Sequence, residues 1–117
     1  MANTFKNNTK SSLVTAVITD PTATVVTAGG AATLIVLSVL VSNKTGSSAN
    51  VDVYLDRATG DDTYLIRNAP VPAGSSLELI SGNKVIMQSS DKLQARADTA
   101  TSLDLTVSYL EIGRAHV

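Results

Sequence analysis

The chain has 117 residues, with nine Lys and Arg against ten Asp and Glu, one His, and no Cys or Trp. This length suits one domain with a proper core, and 44% hydrophobic against 16% charged residues exclude a disordered chain. A net charge of −1 gives no electrostatic footprint for nucleic acid or an anionic membrane, and the absence of Cys excludes disulfides, thiolate metal sites and cysteine nucleophiles.

The N-terminal third begins with a polar segment and continues into apolar strands. Residues 1–12 are rich in Asn, Thr, Ser and Lys, which predicts a flexible or partner-dependent arm. Leu13–Ile18 and Thr24–Thr27 follow as two predicted strands. The eleven-residue apolar run Ala31–Val41 is shorter than the ~20 residues of a membrane-spanning helix. It predicts a central strand over Ala32–Ser42 that is buried on both faces.

The remainder of the chain alternates short strands with turns. Val51, Val53 and Leu55 alternate with polar residues, as expected for a half-buried strand. Ser81-Gly82-Asn83 separates two apolar runs and predicts a hairpin, whereas Pro70 and Pro72 frame an extended crossing. The strands predicted here cover residues 51–56, 63–67, 76–80, 84–88, 92–97 and 103–109.

These strands predict an all-β fold made of a single antiparallel β-sandwich, jelly-roll-like, with about eight strands over residues 13–111. Thr and Ser are common, at 14 and 13 residues, and branched side chains such as Thr and Val favour strands. Aromatic residues make up only 3% of the chain, so the core has to be built from Ala, Val, Leu and Ile.

The last six residues, 112–117, form a segment that we exclude from the functional argument. The codons ATC GGA AGA GCA CAC GTC encode Ile-Gly-Arg-Ala-His-Val and spell the start of a widely used short-read sequencing adapter. We therefore interpret 112–117 as an adapter-derived tail. The only His of the chain, His116, lies in it. The first residues lack the basic start and apolar stretch of a signal peptide, so synthesis in a cytoplasm is expected.

Candidate chemistry is sparse. Asp52 and Asp56 share a strand face, but sugar-stacking aromatic residues that would accompany a glycosidase pair are nearly absent. The segment 56–62 partly matches a calcium loop, although Ala58 stands at a ligand position and no bidentate Glu follows. Gly29-Gly30 lacks the spacing of a phosphate-binding loop. The sequence therefore assigns no catalytic, cofactor-binding or metal-binding residue, and we expect the protein not to be an enzyme.

One long stretch carries a resemblance to a known class. It begins at Leu40-Val41-Ser42-Asn43, includes Tyr64-Leu65-Ile66-Arg67 followed by Pro70-Val71-Pro72-Ala73-Gly74, and ends at Ser108-Tyr109-Leu110-Glu111. Over about residues 33–112 this pattern of strands and turns resembles small virion structural proteins of tailed bacteriophages. Such families often have Gly-Asp before the late strand, where this chain has Ser90-Asp91.

The resemblance implies a component of a phage particle: a head decoration or cement protein, a neck or tail component, or a fibre-associated domain. We expect it to act by symmetric self-assembly, as a homo-oligomer, or by packing on capsid, neck or tail subunits, with no nucleic acid or membrane partner and no cofactor. Its location would be the virion, after synthesis in the host bacterial cytoplasm. The arm 1–12 would suit strand addition to a neighbouring subunit.

Two other classes stay open at this point. A carbohydrate- or receptor-binding β-sandwich module would carry its site in surface loops, yet Tyr54, Tyr64 and Tyr109 all fall within predicted strands. An enzyme would have to work without any His outside the tail.

Overall fold

A computed structural model describes residues 3–30, 32–80 and 83–113 of the chain. Across these residues the fold is all-β, apart from one short 3₁₀ turn at Pro21–Ala23. The strands are β1 Asn3–Lys10, β2 Thr24–Thr27, β3 Ala32–Asn43, β4 Ala49–Asp56, β5 Thr63–Val71, β6 Ser76–Glu78, β7 Val85–Met87, β8 Lys92–Ala97 and β9 Leu103–Gly113.

The strands form two antiparallel sheets packed face to face. One sheet has the order β1-β9-β3-β6 with β7 also paired to β3, and the other has the order β2-β8-β4-β5. If β6 and β7 are counted as two pieces of one strand, each sheet alternates early and late strands as a jelly roll does. The predicted antiparallel sandwich is therefore confirmed.

The core between the sheets is aliphatic, as the composition requires. Val36 from β3, Val51 from β4 and Val107 from β9 are fully buried, and Tyr109 is the one aromatic residue in the described core. Small branched side chains fill the space between two pleated surfaces without aromatic rings.

A β-bulge in β3 decides which residues of that strand enter the core. The register with β9 shifts between Val36 and Ser38, so the buried positions change from Leu34 and Val36 to Val39 and Val41. An extra residue in one strand moves every later side chain to the opposite face. The prediction that this strand is buried on both faces is wrong: its core face is buried, and the opposite face is only partly covered, with Leu40 37% exposed.

The predicted hairpin between the runs at 76–80 and 84–88 is also wrong. β6 pairs with Leu40–Ser42 and β7 pairs with Leu34–Val36, so both lie end to end along the same edge of β3. Glu78 fills the gap at the bulge, where its carboxylate accepts hydrogen bonds from Ser38 Oγ at 2.6 Å and Val39 N–H at 3.0 Å. This carboxylate satisfies the Val39 amide, whose carbonyl accepts from Leu79 N–H on the same edge of β3. Residues 81 and 82 of the predicted turn lie outside the described residues.

The segment Leu13–Ile18 was predicted as a strand and is not one. Two of its backbone carbonyls accept from a side chain and not from a neighbouring strand: Arg96 on β8 donates to Ala16 O at 2.8 Å and to Thr15 O at 3.1 Å. Leu13 and Ile18 are buried. The apolar residues that suggested a strand therefore anchor a crossing that lies over the outer side of the four-stranded sheet.

The predicted arm and tail boundaries also differ from the structure. Residues Asn3–Lys10 are not a free arm but pair with β9 along their whole length, from Asn3 opposite Ile112 to Lys10 opposite Leu105. The polar sequence of β1 does not predict a strand, because this strand is held by backbone hydrogen bonds with β9 and not by an apolar face. β9 runs to Gly113, so the first two residues of the predicted tail belong to the sheet, and residues 114–117 lie outside the described residues.

Asn43 joins the end of β3 to the following turn and to β5. The side chain is 3% exposed, donates to Ser47 O and Val71 O, and accepts from Thr45 N–H and Thr45 Oγ1. All four hydrogen-bonding positions of the amide are thus used.

We expect Asn43→Ala to lower the free energy of unfolding by about 1–3 kcal/mol, because the buried carbonyl of Val71 loses a donor, as does the carbonyl of Ser47. Urea unfolding followed by circular dichroism measures the change. Asn83→Ala, on an exposed residue, is the control and should stay within about 0.5 kcal/mol of wild type. Equal stability of the two variants would contradict this role of Asn43.

Glu78 predicts a pH dependence of stability. Partial burial raises the pKa of Glu78, but the hydrogen bonds from Ser38, Ile80 N–H and Val39 N–H outweigh it and hold the pKa below its ordinary value of 4.5. A carboxyl with a lowered pKa in the folded state stabilises the fold above its ordinary pKa, and this contribution is lost as the pH falls through the folded value. Wild type should therefore lose stability below about pH 4.5, and Glu78→Gln should lose less over the same range. Identical pH profiles of the two proteins, measured by urea unfolding, would contradict this.

Candidate functional site

The outer face of the five-stranded sheet carries the largest group of apolar side chains that the described residues leave outside the core. We call this group the outer apolar patch. Its members lie on β1, β3, β7 and β9: Phe5, Ile35, Leu37, Leu40, Ile86 and Leu110.

The sheet register aligns four of these side chains in one row. Phe5 on β1 is opposite Leu110 on β9, Leu110 is opposite Ile35 on β3, and Ile35 is opposite Ile86 on β7. Directly opposite residues point to the same face of a sheet, with Cβ atoms about 4.5–5.5 Å apart. The row therefore crosses the whole sheet at right angles to its strands. Phe5 is 75% exposed and Ile86 is 48% exposed, so both ends of the row face solvent in the single chain.

A shallow groove lies beside the phenyl ring at one end of this row. Its volume is about 230 Å³, and Leu37, Asn7 and Ser108 line it together with Phe5. Leu37 is the residue at the β3 bulge, so the bulge that sets the core register also places an apolar side chain on the outer face. The patch thus carries a protruding aromatic ring next to an apolar depression.

The outer face of this sheet is almost without charge. By register, its polar positions on β1 and β9 are Asn, Thr and Ser, and its acidic side chains are Glu78 and Asp104. Asp104 is paired with Lys44 Nζ at 2.8 Å, and the hydrogen bonds from Lys44 and Ser12 N–H lower the pKa of Asp104. Both acids lie toward the Ser42 end of β3, away from the Phe5 row. Two such faces can approach each other without repulsion between like charges at the row.

The outer face of the four-stranded sheet differs because the crossing at 13–18 covers part of it. Asp52, considered in the sequence as half of a carboxylate pair, accepts from Arg96 Nη1 at 3.0 Å and from Asn68 N–H at 2.7 Å. Both of its oxygens therefore hold the fold together. An open cleft of about 250 Å³ lies next to this pair, and Tyr64 and Arg67 line part of it. Arg67 lies over the Tyr64 ring at 5.0 Å, so one face of this ring is already occupied by a guanidinium.

The segment 56–62, which partly matches a calcium loop, is held from outside by Asp91. This carboxylate is buried, pairs with Arg57 Nε at 2.9 Å, and accepts from Ala58 N–H and Gln88 N–H at 2.9 Å each. Within the loop, Asp62 accepts from Arg57 N–H at 2.8 Å. Among residues 3–30, 32–80 and 83–113, no group of three or more His, Cys, Asp or Glu could hold a metal ion. These contacts of Asp91 join the loop at 56–62 to the turn at 88–91.

Ser90, immediately before Asp91, has φ of 68°, in the left-handed region that favours glycine.

Of the residues weighed in the sequence, Asp52 and Asp56 do not form a carboxylate site, and His116 lies outside the described residues. The outer apolar patch was not predicted. Its signal is present in β3, where apolar residues occupy both faces, but the polar sequence of β1 and the bulge at Leu37 conceal how the four strands align.

No protein-family model matches the chain, and no curated protein matches its sequence. In the part of the chain that the structure describes, no helix is long and apolar enough to span a membrane.

The contacts of Asp91 give a test that distinguishes a structural role of the 56–62 loop from metal binding by it. We expect Asp91→Asn to lower the free energy of unfolding by about 2–4 kcal/mol, because the ion pair with Arg57 loses its buried carboxylate. Arg57 itself is partly exposed. Asp61→Asn, on an exposed loop residue, is the control and should change stability by less than about 0.5 kcal/mol.

We further expect millimolar calcium to leave the melting temperature of wild type unchanged, since Asp62 and Asp91 already accept hydrogen bonds from backbone amides. Differential scanning calorimetry with and without calcium makes the comparison. A calcium-dependent rise in melting temperature that Asp61→Asn abolishes would contradict the structural interpretation.

Proposed function

We propose that the protein is a non-enzymatic structural component of a phage particle that acts by self-assembly through its outer apolar patch. The observation that carries the assembly part is the row Phe5–Leu110–Ile35–Ile86 on a nearly uncharged sheet face. An aligned group of exposed apolar side chains is the usual mark of a protein–protein contact, and its burial against a partner is favourable.

A second copy of the same chain is the partner that this face fits. A two-fold contact brings identical surfaces together, so the surface has to be complementary to itself. The phenyl ring of Phe5 projects beside the groove lined by Leu37, which provides both halves of such a contact on one face. Sheets pack readily face to face at about 10 Å, and the small Ser, Thr and Asn side chains around the row permit this distance.

The placement in a phage particle depends on the resemblance over about residues 33–112. The fold is compatible with it, because jelly rolls occur in viral structural proteins, and also in lectins, so the fold alone does not choose between these roles. The turn at Ser90 also suits the resembled pattern. Head, neck and tail positions all remain within this proposal, as does packing on capsid or tail subunits.

Carbohydrate or receptor binding is the alternative class. The cleft beside Tyr64 is the place where it would occur, with Arg67 as the polar side chain at its rim. The stacking of Arg67 on the ring and the engagement of both Asp52 oxygens count against it. Specific binding on a glycan array by protein that carries a disrupted outer apolar patch would favour this alternative over assembly.

The self-assembly proposal predicts the effect of removing the two exposed ends of the row. We expect wild type to form dimers or larger species of the 12.1 kDa chain, and Phe5→Thr with Ile86→Thr to weaken association roughly tenfold or more. Multi-angle light scattering over a concentration series measures the mass. The matched control is Val17→Thr, because Val17 is 69% exposed but lies on the crossing at 13–18.

Association of Val17→Thr should equal that of wild type, and far-ultraviolet circular dichroism checks that each variant is folded. A wild-type chain that stays monomeric at high concentration, or a Phe5 and Ile86 double variant that associates as well as wild type, would contradict the proposed interface. The identity of the neighbouring reading frames tests the phage assignment separately: portal, capsid or tail genes are expected, and a setting without virion genes would contradict it.

A further inference from the structure

We infer that β1 exchanges between two copies of the chain, so that β1 of each copy pairs with β9 of the other. This inference deepens the proposed function and rests on it, because it names how two copies are joined. The surface concerned is the outer edge of β9, and the partner is the β1 strand of a second, identical chain.

β1 is attached at the edge of the molecule and not through the core. Its first five residues are exposed, and no residue of this strand belongs to the buried core of the described chain. Two polar side-chain contacts join β1 to β9, one near the surface and one to the buried ring of Tyr109. Lys6 Nζ pairs with Glu111 at 3.0 Å near the surface, and Tyr109 Oη donates to Asn8 Oδ1 at 3.3 Å. Removal of β1 from its own chain would therefore leave the aliphatic core in place.

The segment that follows β1 in the chain is held by burial and by backbone hydrogen bonds. Leu13 is 1% exposed, and its N–H donates to Leu103 O at 2.8 Å. Val14 O then accepts from Ala97 N–H of β8, which belongs to the opposite sheet. Ser11 and Ser12 are thus the short hinge between an edge strand and a buried anchor.

The hinge is strained in the described conformation. Ser12 has φ of 56°, in the left-handed region that a residue with a Cβ rarely adopts. The Ser12 N–H donates to Asp104 Oδ1 at 2.8 Å, and Lys44 Nζ donates to Ser12 Oγ at 2.8 Å, so local contacts hold the corner closed. A short strained hinge favours exchange, because an extended hinge releases the strain and sends the strand to a neighbour.

Exchange preserves the pairing that β9 requires. β9 is bonded to β3 on one side and to β1 on the other, so loss of β1 would expose a long strand edge. The β1 strand of a second copy has the same sequence and can make the same pairs, from Asn3 opposite Ile112 to Lys10 opposite Leu105. The two forms therefore differ mainly at the hinge and in the new contact between copies.

Exchange would also divide the outer apolar patch between the two copies. Phe5 lies on β1, whereas Leu110, Ile35 and Ile86 lie on the strands that stay behind. After exchange, the phenyl ring of each copy completes the row of the other copy. The patch would then be shared between two chains.

The absence of Cys from the sequence allows a direct test by cross-linking. Asn7 and Ser108 are directly opposite in the β1–β9 register, at a spacing that a disulfide can span. The full-length variants Asn7→Cys and Ser108→Cys are unfolded, mixed in equal amounts, refolded together and oxidised mildly. Exchange predicts a covalent dimer that contains one chain of each variant, at twice 12.1 kDa on a non-reducing gel.

Two controls define the result. The double variant Asn7→Cys with Ser108→Cys in one chain shows that the pair can close. A mixture of Asn7→Cys with Ser76→Cys reports contact between outer faces without exchange, because Ser76 lies on β6 of the same face.

Equal cross-linking of the two mixtures would overturn the inference. So would a mixture that gives no mixed dimer although light scattering shows dimers, and in that case the proposed self-assembly would survive. A chain that is monomeric under all conditions would overturn both.

The hinge gives a second readout. Ser12→Gly accepts the left-handed conformation without strain and should lower the fraction of mixed dimer roughly two- to fivefold. Ser12→Pro cannot adopt a positive φ, so it forces the hinge to extend and should raise that fraction by a similar factor. An unchanged or opposite response of both variants would overturn the role of the hinge and with it the exchange.

Discussion

The bulge at Leu37 in β3 is the constraint on which the rest of the structure depends. A strand of twelve residues with apolar side chains on both faces could present either face to the core, and a shift of one residue reverses the choice. The bulge changes which face of the strand is inward. Leu34 and Val36 face inward before it, and Val39 and Val41 face inward after it. As a result Ile35, Leu37 and Leu40 are placed outside.

Several other features follow from that shift. β6 and β7 pair with β3 on either side of the bulge as separate strands, and Glu78 accepts from Val39 N–H between them. The five-stranded sheet consequently has an apolar outer row, while the four-stranded sheet has an outer face partly covered by the crossing that Arg96 holds. This asymmetry between the two outer faces is the physical basis for the proposed assembly.

The sequence predicted the architecture well because period-two alternation is a local signal. Val51, Val53 and Leu55 in β4 and the alternating residues of β9 are inward exactly where the pattern predicts, and the sandwich class followed from them. The strand that begins at Ala32 was also located correctly, because a long run of apolar residues is typical of a strand inside a sheet.

The errors arose where tertiary contacts replace local ones. Leu13–Ile18 has strand-forming residues, but the guanidinium of Arg96 on β8 binds two of its carbonyls, Thr15 O and Ala16 O. β1 has no apolar alternation and is a strand only because β9 offers an open edge. The candidate site depends on both the bulge and the pairing of β1, which explains why sequence patterns did not reveal the outer apolar patch.

The central claim is that the outer apolar patch is covered by a second copy in solution. The most direct measurement is the relaxation of methyl groups by a soluble paramagnetic probe, recorded by nuclear magnetic resonance on the full chain. In the single chain Ile86 is 48% exposed and Val17 is 69% exposed, so both methyl groups would be reached by the probe. The account predicts that Ile86 and Leu110 are protected at high protein concentration while Val17 relaxes strongly. Relaxation of Ile86 in proportion to its exposure in the single chain would contradict it.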